Sequence, residues 1–124
     1  MNSVEVVKAY WAAMRTNDFS KASMWLSESY VCYWPQSQET IKGRENFIEI
    51  NKHYPTDSEW LFEVIEVVGS GDRIVSDVCI TDGRVKARAV TFHTIENGLI
   101  ASQKEFWPDE YEPPIWRAQW IDRD

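Results

Sequence analysis

The chain has 124 residues, a net charge of −7 and 44% hydrophobic residues, which is enough for one domain with a buried core. The acidic balance excludes nucleic acid and anionic membranes as expected partners. No apolar run approaches the ~18 residues of a membrane span, and the first residues lack a signal-peptide pattern, so we predict a soluble, cytoplasmic protein.

The sequence shows no metal or cofactor motif. Cys32 and Cys79 each lie in an apolar, strand-like run, which indicates buried free thiols. His53 and His93 lie far apart, with no further ligand at metal-binding spacing. A Gly-rich phosphate loop and a Ser/His/Asp arrangement are also missing from the sequence. We therefore predict neither a structural metal nor a cofactor.

The first third of the chain reads as two helices followed by a strand. Ser3 is a suitable N-cap for a helix whose apolar residues recur every three or four positions over residues 4–14. Asp18 can cap a second, shorter helix. The aromatic run over residues 30–34 predicts a strand, because the proline that follows it cannot donate to a sheet.

The remainder is predicted to be one helix and a four-strand meander. After a polar loop over residues 36–40, a third helix opens at Gly43 and ends before Pro55. Asp-Gly and Asn-Gly pairs then separate alternating runs, which is a strong hairpin signal. The predicted strands are 59–68, 73–81, 84–96 and 98–107. The proline-containing tail, 112–120, is expected to pack across a sheet edge or on a partner chain.

This order of elements predicts a single α+β domain over residues 1–124, in which the helices cover one face of a curved antiparallel sheet. Two-residue turns fix the register of hairpins, so cross-strand partners can be counted. Asp77 then lies opposite Arg88, and Val90 lies opposite Glu105. The face that results carries Trp60, Phe62, Val64, Val75, Asp77, Arg88, Val90, Phe92, Gln103, Glu105 and Trp107. A bulge in the long third strand of the meander would move part of this set to the other face.

The opposite face of the predicted sheet is also apolar. It carries Ile65, Val67, Ile74, Val78, Ile80, Val85, Ala87, Ala89, Thr91, Ile95 and Ile100. Because three helices cover only one face of the sheet, we predict a homodimer through this smoother, small-residue face.

Two interpretations of the charged cluster remain open. Asp77, Arg88 and Glu105 form either a structural ion-pair network or a carboxylate pair in an apolar pocket. In the second case burial raises the pKa of one carboxyl into the range of acid–base catalysis, while Arg88 keeps the other ionised. Tyr10, on the first helix, would face this cluster and is the fourth catalytic candidate.

The candidate ligand-binding residues are those expected around the cluster. They are Trp11, Met14, Trp34, Phe47, Trp60, Phe62, Val90, Phe92, Gln103 and Trp107. All of them can equally serve as core residues. Trp and Tyr also carry polar groups that can orient a flat apolar ligand, so the predicted partner is a small, mainly apolar molecule.

Four short motifs in this order resemble the NTF2-like superfamily, and its SnoaL-like branch in particular. They are Thr16-Asn17-Asp18, Trp34-Pro35, Lys42-Gly43-Arg44-Glu45 and Glu105-Phe106-Trp107. The resemblance spans nearly the whole chain. It implies a cone in which a curved sheet wraps a pocket that helices close, commonly as a dimer. It also implies that Gln103, Glu105 and Trp107 line that pocket.

The resemblance also bears on chemistry. Tyr10 matches the helix tyrosine of ketosteroid isomerases, but their general-base Asp falls on Trp34 and their oxyanion-hole Asp on Val90, which argues against that mechanism. Asp77 and Glu105 roughly match the two carboxylates of limonene-epoxide-hydrolase-like members, although the arginine of that site falls near Val75. SnoaL-type cyclases use one acidic residue, for which Glu105 or Asp77 is the match.

The function predicted from the sequence is a SnoaL-like pocket protein with isomerase, cyclase, lyase or epoxide-hydrolase type chemistry. The alternative is a non-catalytic ligand-binding or dimerisation module. A third class, a protein–protein adaptor, would use the aromatic residues Tyr111, Trp116 and Trp120.

Overall fold

A computed structural model describes residues 1–123. The helices are α1 (Ser3–Met14), α2 (Phe19–Ser23), α3 (Gly43–His53) and the 3₁₀-helix η1 (Ile115–Trp120). The strands are β1 (Leu26–Trp34), β2 (Glu39–Lys42), β3 (Leu61–Ser70), β4 (Arg73–Thr81), β5 (Lys86–Glu96) and β6 (Leu99–Phe106). The predicted α+β class and the meander are confirmed.

The six strands form one curved, mixed sheet in the order β2-β1-β6-β5-β4-β3. All neighbours are antiparallel except β1 and β6, which run parallel. The parallel pair brings the first strand beside the last, so that the predicted aromatic strand lies between the edge strand β2 and β6. β2 lies partly within the predicted polar loop, where a four-residue strand with one buried side chain gives little alternation to detect.

Local capping sets where the first two helices begin. Asn2, rather than the predicted Ser3, caps α1, because its side chain accepts from the Glu5 amide while Glu5 accepts in return from the Asn2 amide. Asp18 caps α2 as predicted, accepting from the Lys21 amide at 3.1 Å. The short α2 then ends, and the chain enters β1 at Leu26, four residues before the predicted strand.

The helices cover one face of the sheet, here called the inner face. It carries the buried side chains Ile74, Ser76, Val78, Ile80, Ala89, Thr91, His93, Ile95, Ile100, Gln103 and Glu105. Most of the small-residue face that the sequence assigned to a dimer contact is therefore the buried core under α1 and α3. That assignment was wrong.

The other face is here called the outer face, and within residues 1–123 several of its large side chains are exposed rather than covered by α1 or α3. A row of directly opposite residues crosses it, in the order Tyr33, Lys104, Phe92, Val75 and Val68. Asp77, Arg88, Val90 and Phe106 lie in the neighbouring rows of the same face.

The register of β5 with its neighbours differs from the prediction. The β4–β5 connection has four residues, because Asp82 Oδ1 accepts from the amides of Arg84 and Val85 and extends the turn. Asp77 consequently pairs with Val90, two positions from the predicted Arg88. A two-residue shift keeps every side chain on its face.

The decisive difference is a bulge in β6. The Asn97-Gly98 turn is as predicted, since Glu96 pairs with Leu99. Ala101, however, is unpaired between residues 100 and 102, so Glu105 lies opposite Thr91 instead of Val90. Because side chains alternate along a strand, one extra residue moves the whole end of β6 to the opposite face relative to β5.

A second bulge lies in β3, between Val64 and Glu66. The turn into β4 has two residues, Gly71 and Asp72, rather than the predicted four. The shorter turn shifts the pairing of β3 with β4 by two residues, and the bulge reverses one of them, so that a shift of one residue remains. Phe62 therefore lies opposite Ile80, on the inner face.

The tail beyond β6 ends in η1, whose aromatic side chains are exposed. Trp116 and Trp120 are each 71% exposed and Tyr111 is 77% exposed. Within residues 1–123 the two tryptophans therefore do not pack across a sheet edge, which was one of the two predicted alternatives, while packing on a partner chain stays a prediction. None of the helices in this range combines the length and apolar character needed to cross a membrane.

Candidate functional site

A cavity of about 90 Å³ lies between the helices and the inner face of the sheet. Ten aromatic residues line it: Tyr10, Trp11, Phe19, Tyr30, Trp34, Phe47, Tyr54, Trp60, Phe62 and Trp107. The remaining lining residues are Met14, Cys32, Ile41, Ile50, Asn51, Ile80, Val85, Ala87, Gln103 and Glu105. Ile50, Tyr54 and Val85 are more than a third exposed, so the cavity opens to solvent beside them.

Among the described residues, Glu105 is the one that brings a carboxyl group to the cavity wall. Its side chain is almost fully buried, and two donors hold it: Trp34 Nε1 at 3.0 Å from Oε1, and the Thr91 hydroxyl at 2.6 Å from Oε2. Burial raises the pKa of Glu105, and the hydrogen bonds from Thr91 and Trp34 partly offset that rise. Glu105 is therefore a carboxyl group that holds its proton to a higher pH than an exposed glutamate does.

A chain of hydrogen bonds leads from the cavity into the core. The Tyr30 hydroxyl donates to Gln103 Oε1, and Gln103 Nε2 lies 3.1 Å from His93 Nδ1. Ser76 Oγ lies 2.7 Å from His93 Nε2 and accepts from Trp11 Nε1 at 3.0 Å. Donation from the Gln103 amide assigns the proton of the neutral ring to Nε2. This series of hydrogen bonds fixes the orientation of the Gln103 amide in the cavity wall.

His93 is buried behind Gln103 and does not line the cavity. Burial lowers its pKa to about 3, so its ring is uncharged at neutral pH. Its contribution to the site is to orient Gln103.

The remaining polar groups of the cavity stay protonated. Burial raises the pKa of Tyr10 well above its ordinary value, the Glu105 charge adds to the rise, and Gln103 partly offsets it. Burial likewise raises the pKa of Tyr30 and of the Cys32 thiol. At neutral pH the polar end of the cavity therefore offers hydroxyl, thiol and amide groups around one carboxyl.

Two indoles form a corner beside Glu105. The rings of Trp34 and Trp107 meet edge to face, with centroids 6.1 Å apart and planes at 87°. Gln36 holds Trp107 in place, since its side chain bonds both the amide and the carbonyl of that residue. Tyr10 and Trp11 form a second edge-to-face pair in the cavity wall, with centroids 5.0 Å apart and planes at 67°.

The structure brings together most of the predicted site. Glu105 and Tyr10, of the four catalytic candidates, line the cavity. So do eight of the ten ligand-binding candidates: Trp11, Met14, Trp34, Phe47, Trp60, Phe62, Gln103 and Trp107.

Four predicted site residues lie elsewhere. Asp77, Arg88, Val90 and Phe92 are on the outer face, because the bulge at Ala101 separates them from Glu105. Asp77 and Arg88 form a two-contact ion pair there, with Arg88 Nη2 at 2.7 Å from Asp77 Oδ2. The hydrogen bond from Arg88 lowers the pKa of Asp77. The predicted cluster of these two residues with Glu105 is wrong.

Sequence reasoning missed Tyr30, Cys32 and Thr91. Tyr30 and Cys32 alternate with Trp34 along β1, so the period of two alone places all three on one face of the strand. Thr91 had no such signal, because its position beside Glu105 depends on the unpaired Ala101.

Comparisons with known proteins agree with this architecture. The profile of the SnoaL-like domain matches residues 7–103. A candidate ketosteroid isomerase from Kribbella flavida is 25% identical over 98% of this chain and 89% of its own, with a TM-score of 0.90. An NTF2-like protein of unknown function from Burkholderia xenovorans is 28% identical over 97% and 93%, with a TM-score of 0.81.

A candidate SnoaL-like polyketide cyclase from Shewanella denitrificans shares the fold. It is 13% identical over 84% of this chain and 88% of its own, with a TM-score of 0.69. No curated protein matches the chain. The profile match covers most of the sequence, and the cone, the cavity and the neighbours are those of the same fold, so the chain belongs to the SnoaL-like domain family.

Proposed function

We propose that this protein binds a small, mainly apolar ligand in the aromatic cavity and that Glu105 exchanges a proton with it. The observation that carries the proposal is the position of Glu105, a buried carboxyl with a raised pKa at the end of a cavity that is otherwise mostly aromatic. Such a carboxyl can act as general acid or general base near neutral pH. The ketosteroid isomerase and polyketide cyclase descriptions of two neighbours support the same class of chemistry.

The geometry supports a specific role for each polar residue around the cavity. Glu105 is the acid–base group, and the hydroxyl group of Tyr10 is a neutral donor for an oxygen on the ligand, whereas the Tyr30 hydroxyl donates to Gln103. Gln103 offers its amide in a fixed orientation, and Trp34 and Thr91 hold the Glu105 carboxyl. Asp77 and Arg88 have no part in the reaction, because they lie across the sheet from the cavity.

A non-catalytic ligand-binding module is the second candidate. It is favoured by the fact that both oxygens of Glu105 already accept hydrogen bonds within the protein. The two candidates agree on binding and differ on proton transfer.

Cyclohexanone is a suitable probe, because it is small, apolar and carries exchangeable protons beside its carbonyl. Binding is read from the indole N–H signals of Trp11 and Trp34 in NMR spectra, with the exposed Trp116 and Trp120 as internal references. Proton transfer is read from deuterium incorporation beside the carbonyl in heavy water. Glu105 would take the proton from carbon as a carboxylate and return a deuteron to it.

We expect binding with exchange above the buffer rate, and loss of the exchange in Glu105→Gln. Glu63→Gln, an exposed glutamate on the outer face, is the matched control. Binding without exchange would support the non-catalytic module. No effect of the probe on either cavity indole would refute both candidates.

A homodimer through the outer face is a further part of this proposal. Val31, Tyr33, Val68 and Phe92 expose 36%, 40%, 47% and 45% of their surface on this face, and they lie on the alternate strands β1, β3 and β5. A sheet face that exposes several apolar side chains is a candidate for a contact with a second copy about a two-fold axis. We also propose a cytoplasmic location, because the two cysteines are free thiols, which a reducing compartment preserves.

A further inference from the structure

The cavity wall holds a carboxyl group but no basic side chain among the described residues. Glu105 is its single acidic residue, and Lys, Arg and His are absent from the lining. Arg88, which the sequence had offered as the counter-ion, is bound to Asp77 on the outer face. His93 is behind Gln103 and uncharged. Glu105 therefore has donors but no cation.

The aromatic walls of the cavity also favour a positively charged ligand. The face of an aromatic ring is the negative end of its quadrupole and attracts cations, most strongly when water is excluded. The corner of Trp34 and Trp107 places two indoles at right angles beside the Glu105 carboxyl. Tyr10 and Trp11 form a similar pair in the cavity wall. An aromatic cage that contains a carboxylate is a known way of recognising alkylated ammonium groups.

The size of the cavity suits a compact group. Its volume of about 90 Å³ has room for several water molecules. A compact group such as trimethylammonium suits a space of this order. The rest of a longer ligand would leave by the open side near Tyr54 and Val85.

We infer that the ligand of this cavity carries a positive charge, as a small alkylammonium group held between the Trp34–Trp107 corner and the Glu105 carboxylate. This inference rests on the proposed function and names the class of its ligand. The cation supplies the counter-ion that the chain itself lacks. In the complex Glu105 is ionised, so that it acts as a base toward the ligand rather than as an acid.

Choline and its uncharged analogue 3,3-dimethylbutan-1-ol test the inference, because they differ only in the replacement of the charged nitrogen by carbon. The affinity of each is measured from the Trp34 indole signal in NMR titrations. We expect choline to bind roughly tenfold more tightly or better, since cation–π and carboxylate contacts add together in a partly buried site. We also expect Glu105→Gln to reduce the preference, because only the cation–π contacts remain, and Glu63→Gln to keep it in full.

The wild-type protein supplies a second readout that needs no variant. Choline keeps its charge at every pH, so its affinity should rise as Glu105 loses its proton, while the affinity of the uncharged analogue should not. Equal or tighter binding of the analogue, or a cation preference that is undiminished in Glu105→Gln, would overturn the inference. Binding of the analogue or of cyclohexanone in that case leaves the proposed function standing. Failure of all three probes would refute the proposed function as well.

Discussion

The hydroxyl of Thr91 lies directly opposite Glu105 across β5 and β6 and donates a 2.6 Å hydrogen bond to Oε2 of its carboxyl. This contact exists because Ala101 is left unpaired, which turns the end of β6 toward the cavity. Trp34 holds the other oxygen from β1. Three strands thus converge on one carboxyl group, and its proton affinity depends on all of them.

Thr91→Val tests this contact, since valine has nearly the same shape and no donor. Loss of the hydrogen bond that favours the ionised form should raise the pKa of Glu105 further. The free energy of unfolding at neutral pH should fall by about 1–2 kcal/mol, because a buried acceptor loses its partner. The measurements are a carbon NMR titration of the glutamate carboxyl and urea denaturation.

Thr94→Val is the matched control, because Thr94 lies on the outer face of the same strand, opposite Ser102. It should leave the pKa of Glu105 unchanged. A lower pKa of Glu105 in Thr91→Val would contradict the role assigned to this hydroxyl.

His93 should give the protein a distinct sensitivity to acid. Its pKa is about 3 in the folded protein and 6.5 ordinarily, so the unfolded chain binds the proton more readily between these values. Its contribution to stability is therefore complete above pH 6.5 and is lost as the pH falls toward 3, by up to about 1.4 kcal/mol per pH unit. Urea denaturation at a series of pH values measures this slope.

His93→Gln should flatten that slope, at the cost of a lower stability at neutral pH. His53→Gln, at an exposed residue near the end of α3, should leave the slope as it is. If His93→Gln kept the full acid sensitivity of the wild type, the buried neutral ring would not be its source.

The Asp77–Arg88 pair should matter little for either stability or function. Both side chains are partly exposed on the outer face, at 28% and 45%, and solvent screening leaves pairs of this kind with little effect on stability. Asp77→Asn and Arg88→Ala should therefore leave the cyclohexanone effect on the Trp34 indole unchanged. If Asp77→Asn lost that effect while circular dichroism showed an intact fold, Asp77 would contribute to ligand binding after all.

The outer face should determine the oligomeric state. Phe92→Lys places a second ammonium group beside Lys104, whose Nζ lies 5.3 Å from the centre of the Phe92 ring. A charge at this place on a buried two-fold interface is costly, so the variant should be monomeric where the wild type is a dimer. Light scattering coupled to gel filtration measures both.

Met24→Lys is the control, because Met24 is 70% exposed at the end of α2 and away from the sheet face. It should remain dimeric. A monomeric wild type at micromolar concentration would contradict the proposed dimer.

The sequence by itself determined the fold class and much of the site. Capping residues, Pro and Gly positions and two-residue alternation are local signals, and they located three helices and the meander to within a few residues. The period of two along the end of β6 placed Gln103, Glu105 and Trp107 on one face of their strand. The same period along β1 carries Tyr30, Cys32 and Trp34.

Only the tertiary structure decided which strands those faces meet. One unpaired residue, Ala101, moves a side chain from one face of the sheet to the other, and local sequence does not mark where such a residue falls. The bulge separated Glu105 from Arg88 and placed it beside Thr91, while β1 contributed Trp34 through a parallel pairing of distant segments. The charge of the candidate site therefore depends on the pairing register of strands that are distant in sequence. The alternation of side chains along a single strand does not reveal that register.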